Sequence, residues 1–284
     1  MQRPEIFSRL VRMLGAETCD ALAATRVAVF GLGGVGSWCA ESLVRSGVGR
    51  LLLVDPDRVC ATNVNRQLMA TTQTVGHVKV DALARRLRDI NPGVALDVRP
   101  HAYTAETAAS FDLAACDYVV DAIDALSEKA ALIRHALSIP SVTLFASMGA
   151  ALKMDPFQIR ASPFGKVAGD GLARALRRKF KETGGLPERP FTCVWSPERR
   201  ANLGPAAAPD DDIGVARKAC VNGTVAHTTA VFGFALAGLV VADVEARGAQ
   251  APCATRAFAS EASLRSGVAP ATCPTKETSA EPVR

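Results

Sequence analysis

A glycine-rich turn is the first part of the sequence whose residue types and spacing could support chemistry. Gly31, Gly33 and Gly36 are spaced G-x-G-x-x-G, with Gly34 as a fourth glycine among them. A short apolar run, Arg26–Phe30, precedes the turn, and a predicted helix follows it. Glycines at this spacing allow a tight turn in which backbone N–H groups and the helix N-terminus face phosphate oxygens. The pattern predicts a nucleotide-binding loop; a glycine turn that serves only packing is the alternative.

Three carboxylates follow predicted strands and could bind the rest of a nucleotide. Asp55 ends the strand after the glycine turn, where a carboxylate accepts hydrogen bonds from ribose hydroxyls. Asp121 and Asp124 follow a later strand in the order D-A-I-D. Magnesium takes one or two carboxylates together with phosphate oxygens, and Asp124, further past the strand, is the first choice. Asp121 is either a ligand in the nucleotide site or a cap of the next helix.

Polar side chains after the second strand suit a triphosphate. Asn63 and Gln67 supply neutral donors, Arg66 a bidentate guanidinium and Lys79 a point charge. Their segment is expected at the carboxyl ends of the strands, where open α/β sheets bind ligands. A polar surface loop followed by a solvated lysine is the alternative, and the neighbouring glycine loop and Asp124 favour phosphate binding.

Two other nucleotide chemistries fit the sequence less well. A nicotinamide-dependent dehydrogenase needs a hydride-handling site, and neither tyrosine, Tyr103 or Tyr118, stands in such a setting. A P-loop enzyme needs G-x-x-x-x-G-K-[ST], but Ser37 and Trp38 follow Gly36 and supply no lysine.

Strands that alternate with helices predict an α/β fold. The order implies a Rossmann-like, doubly wound, mostly parallel sheet with helices on both faces and a C-terminal helical and irregular extension. The predicted strands are Arg26–Phe30, Arg50–Val54, Ala95–Arg99, Asp117–Val120 and Ser141–Phe145, and the predicted helices are Ser37–Ser46, Asp81–Ile90, Lys129–Leu137 and Leu172–Lys181.

The 284 residues divide into four predicted parts. Residues 1–25 form a helical lead-in, residues 26–160 the nucleotide-binding domain, and residues 161–248 the C-terminal part of the same fold. Residues 249–284 are rich in Ala, Ser, Thr and Pro without periodicity, and we expect them to be disordered. Within the third part, Thr224–Val244 is nearly long enough to span a bilayer, but polar residues and glycines interrupt it. We predict a buried core helix there, with peripheral membrane contact as the alternative.

Composition indicates a globular protein without a metal ribbon. Apolar residues make up 49% and charged residues 21% of the chain, which excludes a disordered protein. The eight cysteines contain no C-x-x-C pair, which argues against a zinc ribbon or a thioredoxin-like redox pair. The first residues lack the apolar run of a secretory signal, so the cytoplasm is the expected compartment.

The excess of basic residues is concentrated in one segment. The whole chain carries 33 Lys and Arg against 28 Asp and Glu, an excess of five. Residues 172–200 alone hold eight against three, the same excess. Such a segment can bind a phosphate backbone, and a solvated helix face is the alternative. The candidate contacts are Arg174, Arg177, Arg178, Lys179 and Lys181.

Together these motifs resemble the ubiquitin-activating-enzyme-like adenylyltransferases, which bind ATP and adenylate a carboxylate. The resemblance implies that Asp55 binds ribose, that Asn63, Arg66 and Lys79 contact phosphates, and that Asp124 holds Mg²⁺. The motifs that carry it are Gly31–Ser37, Asp55–Val59 with Asp57, Asn63–Gln67, Gly76–Lys79 and Asp121–Asp124.

One branch of that family matches the sequence as far as about residue 245. Its members dehydrate threonylcarbamoyladenosine in tRNA, so the resemblance implies ATP, Mg²⁺ and a tRNA that carries this nucleoside. It also implies a homodimer in which an N-terminal arginine reaches the partner's ATP; Arg12 fits that role, and Arg9 is the alternative. The segments shared with this branch include Ser147–Gly149, Asp155–Pro156, Cys193–Ser196 and Thr229–Phe234.

Two other functions stay open. The protein could adenylate the C-terminus of a ubiquitin-like or sulfur-carrier protein and pass it, or sulfur, through Cys193 or Cys220, with a sulfur-transfer protein as partner. It could also be a non-catalytic nucleotide-binding module. The missing C-x-x-C pairs disfavour the first alternative, and the full set of phosphate and metal candidates disfavours the second.

Overall fold

The computed structural model describes residues 5–203 and 222–250. Cys220 and residues 251–284 of the tail that was expected to be disordered lie outside these ranges, whereas residues 249 and 250 belong to the last helix. Strands and helices alternate along the described chain. The strands are β1 (Arg26–Phe30), β2 (Arg50–Val54), β3 (Ala95–Arg99), β4 (Tyr118–Asp121), β5 (Thr143–Ser147), β6 (Arg160–Pro163) and β7 (Thr192–Trp195). The α-helices are α1 (Ser8–Ala24), α2 (Gly36–Arg45), α3 (Lys79–Ile90), α4 (Leu126–Ser138), α5 (Gly171–Glu182) and α6 (Ala226–Gln250).

The strands form one sheet in the order β3-β2-β1-β4-β5-β7-β6. Only the β6–β7 pair is antiparallel among these neighbours, so the predicted mostly parallel, Rossmann-like α/β fold is confirmed. Strand β1 pairs with both β2 and β4, which places the reversal of strand order between β1 and β4. Open sheets bind ligands at such a reversal, beyond the carboxyl ends of the strands. The glycine turn and the D-A-I-D turn both begin there.

Each central strand contributes side chains to two apolar cores. In β1, Val27 and Val29 face the core that is shared with α2, α3 and α6, whereas Ala28 and Phe30 face the core that is shared with α4 and α5. A parallel strand that is covered on both faces needs apolar residues at successive positions. This requirement explains why β1 and β2 are recognisable in the sequence as continuous apolar runs.

The long apolar stretch forms α6, and one side of this helix belongs to the core. Phe232, Leu236 and Val240 are fully buried. A Cβ atom at Gly233 would lie 2.5 Å from the carbonyl oxygen of Val35, just before α2, so the helix and the nucleotide-loop region are in close contact. By length and composition, α6 is the one helix of the described chain that could cross a membrane. Its buried side favours the predicted core helix over membrane contact.

Two strands were not predicted from the sequence. Strands β6 and β7 have four residues each, and the R-A-S-P sequence of β6 has no apolar alternation. Strand β6 lies at the edge of the sheet, where a proline such as Pro163 is tolerated. Because β7 lies between β5 and β6, the predicted boundary at residue 160 falls within a single sheet.

Alanine substitutions at two glycines of α6 test its close packing. Gly233→Ala is expected to destabilise the protein by about 1–3 kcal/mol, because the new Cβ meets backbone atoms of Val35 and Cys39. Gly238→Ala is the matched control: no atom lies within 4 Å of its added Cβ, and alanine favours a helix over glycine by up to about 1 kcal/mol. Urea denaturation measures both changes, and equal stabilities of the two variants would contradict this packing.

Candidate functional site

The glycine turn brings two backbone segments into contact at the end of β1. Gly31 has a φ of 82°, and a Cβ on it would lie 2.8 Å from the carbonyl oxygen of Ala122, in the D-A-I-D turn. A Cβ on Gly36 would lie 1.8 Å from the carbonyl oxygen of Gly31. At Gly33, by contrast, the nearest atom to an added Cβ is a side-chain nitrogen 3.9 Å away. Two of the glycines are therefore required by the turn itself, and Gly33 leaves room for a ligand.

Asp55 connects the glycine turn to the strand beside it. Its two carboxylate oxygens accept hydrogen bonds from the backbone N–H of Leu32, at 2.6 Å, and of Asp57, at 2.9 Å. Burial raises the pKa of Asp55, and the nearby charge of Lys79 and these backbone donors oppose that rise. The carboxylate thus holds Leu32, the second residue after β1, while lying at the edge where a ribose would bind.

Lys79, the first residue of α3, lies between two aspartates. Its ammonium nitrogen is 2.7 Å from Oδ2 of Asp57 and 3.7 Å from Oδ1 of Asp55. The lysine is buried, so its charge is screened little by solvent. The structure therefore brings together Asp55, Asp57 and Lys79, three of the predicted site residues. A phosphate that binds Lys79 would compete with the two carboxylates for its ammonium group.

Arg66 lies against the glycine loop, where its Cγ atom would be 3.3 Å from a Cβ on Gly34. The Arg66 guanidinium donates to the carbonyl oxygen of Thr62 and to Oδ1 of Asn65, and the Trp38 indole donates to the Arg66 carbonyl oxygen. Burial lowers the pKa of Arg66, and the Asp124 carboxylate opposes this change. Asp124 is exposed, whereas Arg66 is partly buried. The pair places one positive and one negative group beside the nucleotide loop.

The two predicted amide ligands differ in their surroundings. Gln67 is 94% buried, and its Oε1 atom has no hydrogen-bond partner within the described residues. A buried amide oxygen without a partner costs free energy, so a ligand donor at this position would stabilise it. The side-chain Oδ1 atom of Asn63 instead accepts a hydrogen bond from the Cys60 backbone N–H, which makes Asn63 a cap of its own turn.

Asp121 does not have the accessibility that a nucleotide ligand needs. Its side chain is fully buried, and it lies 2.9 Å from the ammonium group of Lys129, which is also fully buried. Its other oxygen accepts a hydrogen bond from the Ile123 backbone N–H, and Lys129 donates to the Ile123 carbonyl oxygen. The prediction that Asp121 binds nucleotide therefore needs correction, because this geometry makes the pair a clamp on the turn that carries Asp124. Lys129 was not predicted as a site residue from the sequence. Its position one turn into the helix after the D-A-I-D turn could have indicated a partner for Asp121.

Helix α5 presents only part of its predicted basic surface to solvent. Arg177 donates to the carbonyl oxygens of Phe164 and Val167, and its guanidinium lies over the Phe164 ring. Its predicted contact with phosphate is therefore unsupported, because the charge is engaged within the protein. Of the remaining candidates, Arg174, Arg178 and Lys181 are exposed and Lys179 is half-buried.

The remaining candidates are the two arginines of α1 and Cys193. Arg9 and Arg12 are both exposed on α1, before a break in that helix at Gly15, which has a φ of 79°. Cys193 is completely buried in β7, and burial raises the pKa of its thiol above the usual range. A buried, protonated thiol is a poor nucleophile, so the geometry does not favour Cys193 as a relay residue.

Groups of three or more potential metal ligands are absent from the described residues. Magnesium takes one or two carboxylates and completes its shell with phosphate oxygens and water. The exposed Asp124 carboxylate, in the turn that contacts the glycine loop, is a donor of this type.

Comparisons with known proteins identify one family. A profile of the ThiF family matches residues 7–271. The tRNA threonylcarbamoyladenosine dehydratase of Escherichia coli (strain K12) is 36% identical over 241 residues, which cover 80% of this chain and 89% of the relative. The enzyme of that name from Bacillus subtilis (strain 168) is 44% identical over 178 residues, which cover 63% and 70% of the two chains. The crystal structure of the E. coli dehydratase in complex with ATP superposes with a TM-score of 0.77 at 31% identity and covers 87% of this chain and 97% of that chain.

Removing the buried ammonium tests the clamp. Lys129→Met is expected to destabilise the protein by about 3–5 kcal/mol, because it leaves the Asp121 carboxylate buried and unpaired. The double variant Asp121→Leu/Lys129→Met removes both charges and is expected to recover most of that loss. Urea denaturation measures both variants; a Lys129→Met protein as stable as the wild type would show that the two groups do not depend on each other.

Proposed function

Because the chain belongs to the ThiF family, we propose that it catalyses the ATP-dependent dehydration of threonylcarbamoyladenosine in tRNA. The proposal rests on one observation: the glycine loop contacts Arg66, Asp55 and the turn that carries Asp124, next to the reversal of strand order. Similarity to the E. coli dehydratase over most of both chains supports the choice of substrate.

The residues at the loop fit ATP. Gly33 has the open space that a phosphate needs, and the unpartnered Oε1 atom of Gln67 lies in the same region. Asp55 supplies a carboxylate for ribose hydroxyls, and α2 begins at the loop, so its N-terminal dipole favours phosphate. Asp57 acts through Lys79, whose ammonium it holds.

The proposed reaction has two steps. An oxygen of the threonyl carboxylate attacks the α-phosphorus of ATP, pyrophosphate leaves, and a mixed anhydride with AMP forms. An internal nitrogen of the same modification then attacks the activated carbonyl carbon and loses its proton, and AMP leaves with the former carboxylate oxygen. The net change in the nucleoside is loss of one water. The nucleophile and the electrophile belong to one bound molecule, so proximity contributes much of the rate.

Positive groups of the site stabilise the charge that develops on phosphate. Arg66 and Lys79 are basic groups beside the loop, and we propose that Arg12 of a partner protomer adds another in a homodimer. Mg²⁺, held by Asp124, would neutralise phosphate charge and orient the pyrophosphate leaving group. Asp121 and Lys129 position the Asp124 turn rather than contact the substrate.

The proposed contacts with the tRNA backbone are three exposed basic residues of α5 and the half-buried Lys179; the three are Arg174, Arg178 and Lys181. We propose the cytoplasm as the compartment. We also propose a sulfur-transfer protein as a partner.

A second candidate function is adenylation of a carrier protein's C-terminus, because its first step uses the same carboxylate chemistry. The burial of Cys193 weighs against transfer through that thiol. The first function activates a carboxylate of tRNA without a cysteine, and the second activates a protein C-terminus and passes it to a cysteine. An assay of AMP release with modified tRNA therefore separates them.

Neutral substitutions at the site test the adenylation step. Asp124→Asn and Arg66→Met are each expected to lower AMP release with modified tRNA by at least about 100-fold, since each removes a charge that acts on the phosphates. Cys193→Ala/Cys220→Ala is the control that should retain AMP release. Chromatography of AMP measures all three, with circular dichroism as a check of folding. Full activity of Asp124→Asn and Arg66→Met would refute the site assignment, and loss in the double cysteine variant would favour the carrier-protein route.

Salt dependence tests the tRNA surface. Arg178→Gln/Lys181→Gln should weaken tRNA binding and reduce the slope of log K against log[salt] by about 1–2. Each phosphate contact that is lost leaves one counterion bound to the tRNA that the wild type would release. Arg85→Gln/Arg88→Gln, which alters two exposed arginines of α3, is the matched control and should leave the slope unchanged. Filter binding at several salt concentrations measures both, and equal slopes would exclude this face of α5.

A further inference from the structure

Phe157 is an aromatic residue with almost no contact to the rest of the protein. Its side chain is 95% exposed, on a short 3-10 turn, Pro156–Gln158, between β5 and β6. Exposure of a phenyl ring to water is unfavourable, and rings of this size normally contribute to cores or interfaces. The ring has no part in the core or in the nucleotide site.

Two carboxylates hold this turn in place. Asp155 accepts hydrogen bonds from the Phe157 backbone N–H, at 2.9 Å, and from the Gln158 side-chain amide, at 3.0 Å. Glu198, from the loop after β7, accepts from the backbone N–H groups of Met154 and Asp155, at 2.7 and 2.9 Å. The backbone donors lower the pKa of Glu198, so its carboxylate stays charged. The exposed ring is thus presented by a backbone that is fixed before any ligand binds.

The same turn is connected to the nucleotide loop through the start of α6. A ring nitrogen of His227 lies 2.8 Å from the Met154 carbonyl oxygen, and the Thr228 hydroxyl donates to the Lys153 carbonyl oxygen. The next residue, Thr229, lies against the glycine loop, 3.2 Å from where a Cβ on Gly34 would stand. Strand β6 is antiparallel to its neighbour, so its first residue lies at the carboxyl-end edge of the sheet. Phe157 therefore stands on the same edge as the site.

The charge near the ring favours an anionic ligand. Arg160 is exposed just after the turn, with its guanidinium over the Trp195 ring, and Arg199 and Arg200 are exposed in the loop that supplies Glu198. The two acidic groups, Asp155 and Glu198, are both engaged by backbone N–H donors. Three arginines against two carboxylates leave an excess of one positive charge near the ring, although Arg199 also donates to the Gly169 carbonyl oxygen.

We propose that Phe157 is a stacking platform for an unpaired base of the RNA, next to the nucleotide that enters the site. The inference rests on the proposed function. Proteins recognise single-stranded RNA by stacking exposed bases on aromatic rings while basic side chains contact the backbone. One ring and one neighbouring exposed apolar side chain, Met154, match a single base. They fall well short of the roughly 800 Å² per partner that a specific protein interface buries.

Substitutions of Phe157 separate stacking from other roles. Equilibrium binding of the modified tRNA to the full chain is measured for Phe157→Ala, Phe157→Leu and Phe157→Trp. If the ring stacks on a base, Phe157→Ala and Phe157→Leu weaken tRNA binding about 5- to 100-fold, whereas Phe157→Trp binds as tightly as the wild type. The affinity for ATP and the salt dependence of tRNA binding stay as in the wild type. If Phe157→Leu binds tRNA as tightly as the wild type, the contact is apolar rather than stacked, and the proposal is overturned.

Further outcomes distinguish the proposal from its premise. If the wild type binds tRNA and releases AMP while all three variants match it, Phe157 is excluded and the proposed function stands. If the wild type binds tRNA but releases no AMP, the proposed function fails and the binding series still decides the role of Phe157. A wild type that does not bind tRNA would overturn both. Light scattering detects a change of assembly in Phe157→Ala, which would assign the ring to a contact between protein chains instead.

Discussion

The contact between the glycine turn and the D-A-I-D turn is the constraint on which the site depends. The backbone of Gly31 passes so close to Ala122 that no side chain fits between them, and Gly36 packs in the same way on Gly31. This closeness brings the loop after β1 and the loop after β4 to one point at the reversal of strand order. Phosphate donors from one loop and the Asp124 carboxylate from the other can then serve one ligand.

Buried polar groups keep these two loops in position. Asp55 holds the Leu32 backbone N–H, and the Asp121–Lys129 pair holds both backbone groups of Ile123. Neither arrangement is the best one for stability alone, since buried charges cost desolvation energy. Their placement directly beneath the loops indicates that they fix geometry. The contact of Gly233 with the start of α2 brings α6, an apolar helix late in the chain, against the segment that follows the glycine turn.

Much of this could be predicted from the sequence, because the central strands are buried on both faces and the loops between them carry local motifs. Strands β1, β2 and β3 have the predicted bounds. Strands β6 and β7 could not be predicted, since a four-residue edge strand such as R-A-S-P carries no periodic signal. The sequence also could not tell Asp121 from Asp124, or Arg177 from its neighbours, because burial and tertiary partners decide their roles. Phe157 gave no signal for the same reason: its exposure depends on the fold around it.

Transfer of an oxygen atom tests the central claim, that this site activates a carboxylate of the RNA with ATP, most directly. The protein is incubated with Mg-ATP and tRNA whose threonyl carboxylate is labelled with ¹⁸O, and the masses of AMP and of the nucleoside are determined. The account predicts one ¹⁸O atom in each AMP and one AMP for each nucleoside that loses water. Unlabelled AMP, or loss of water without AMP, would contradict it.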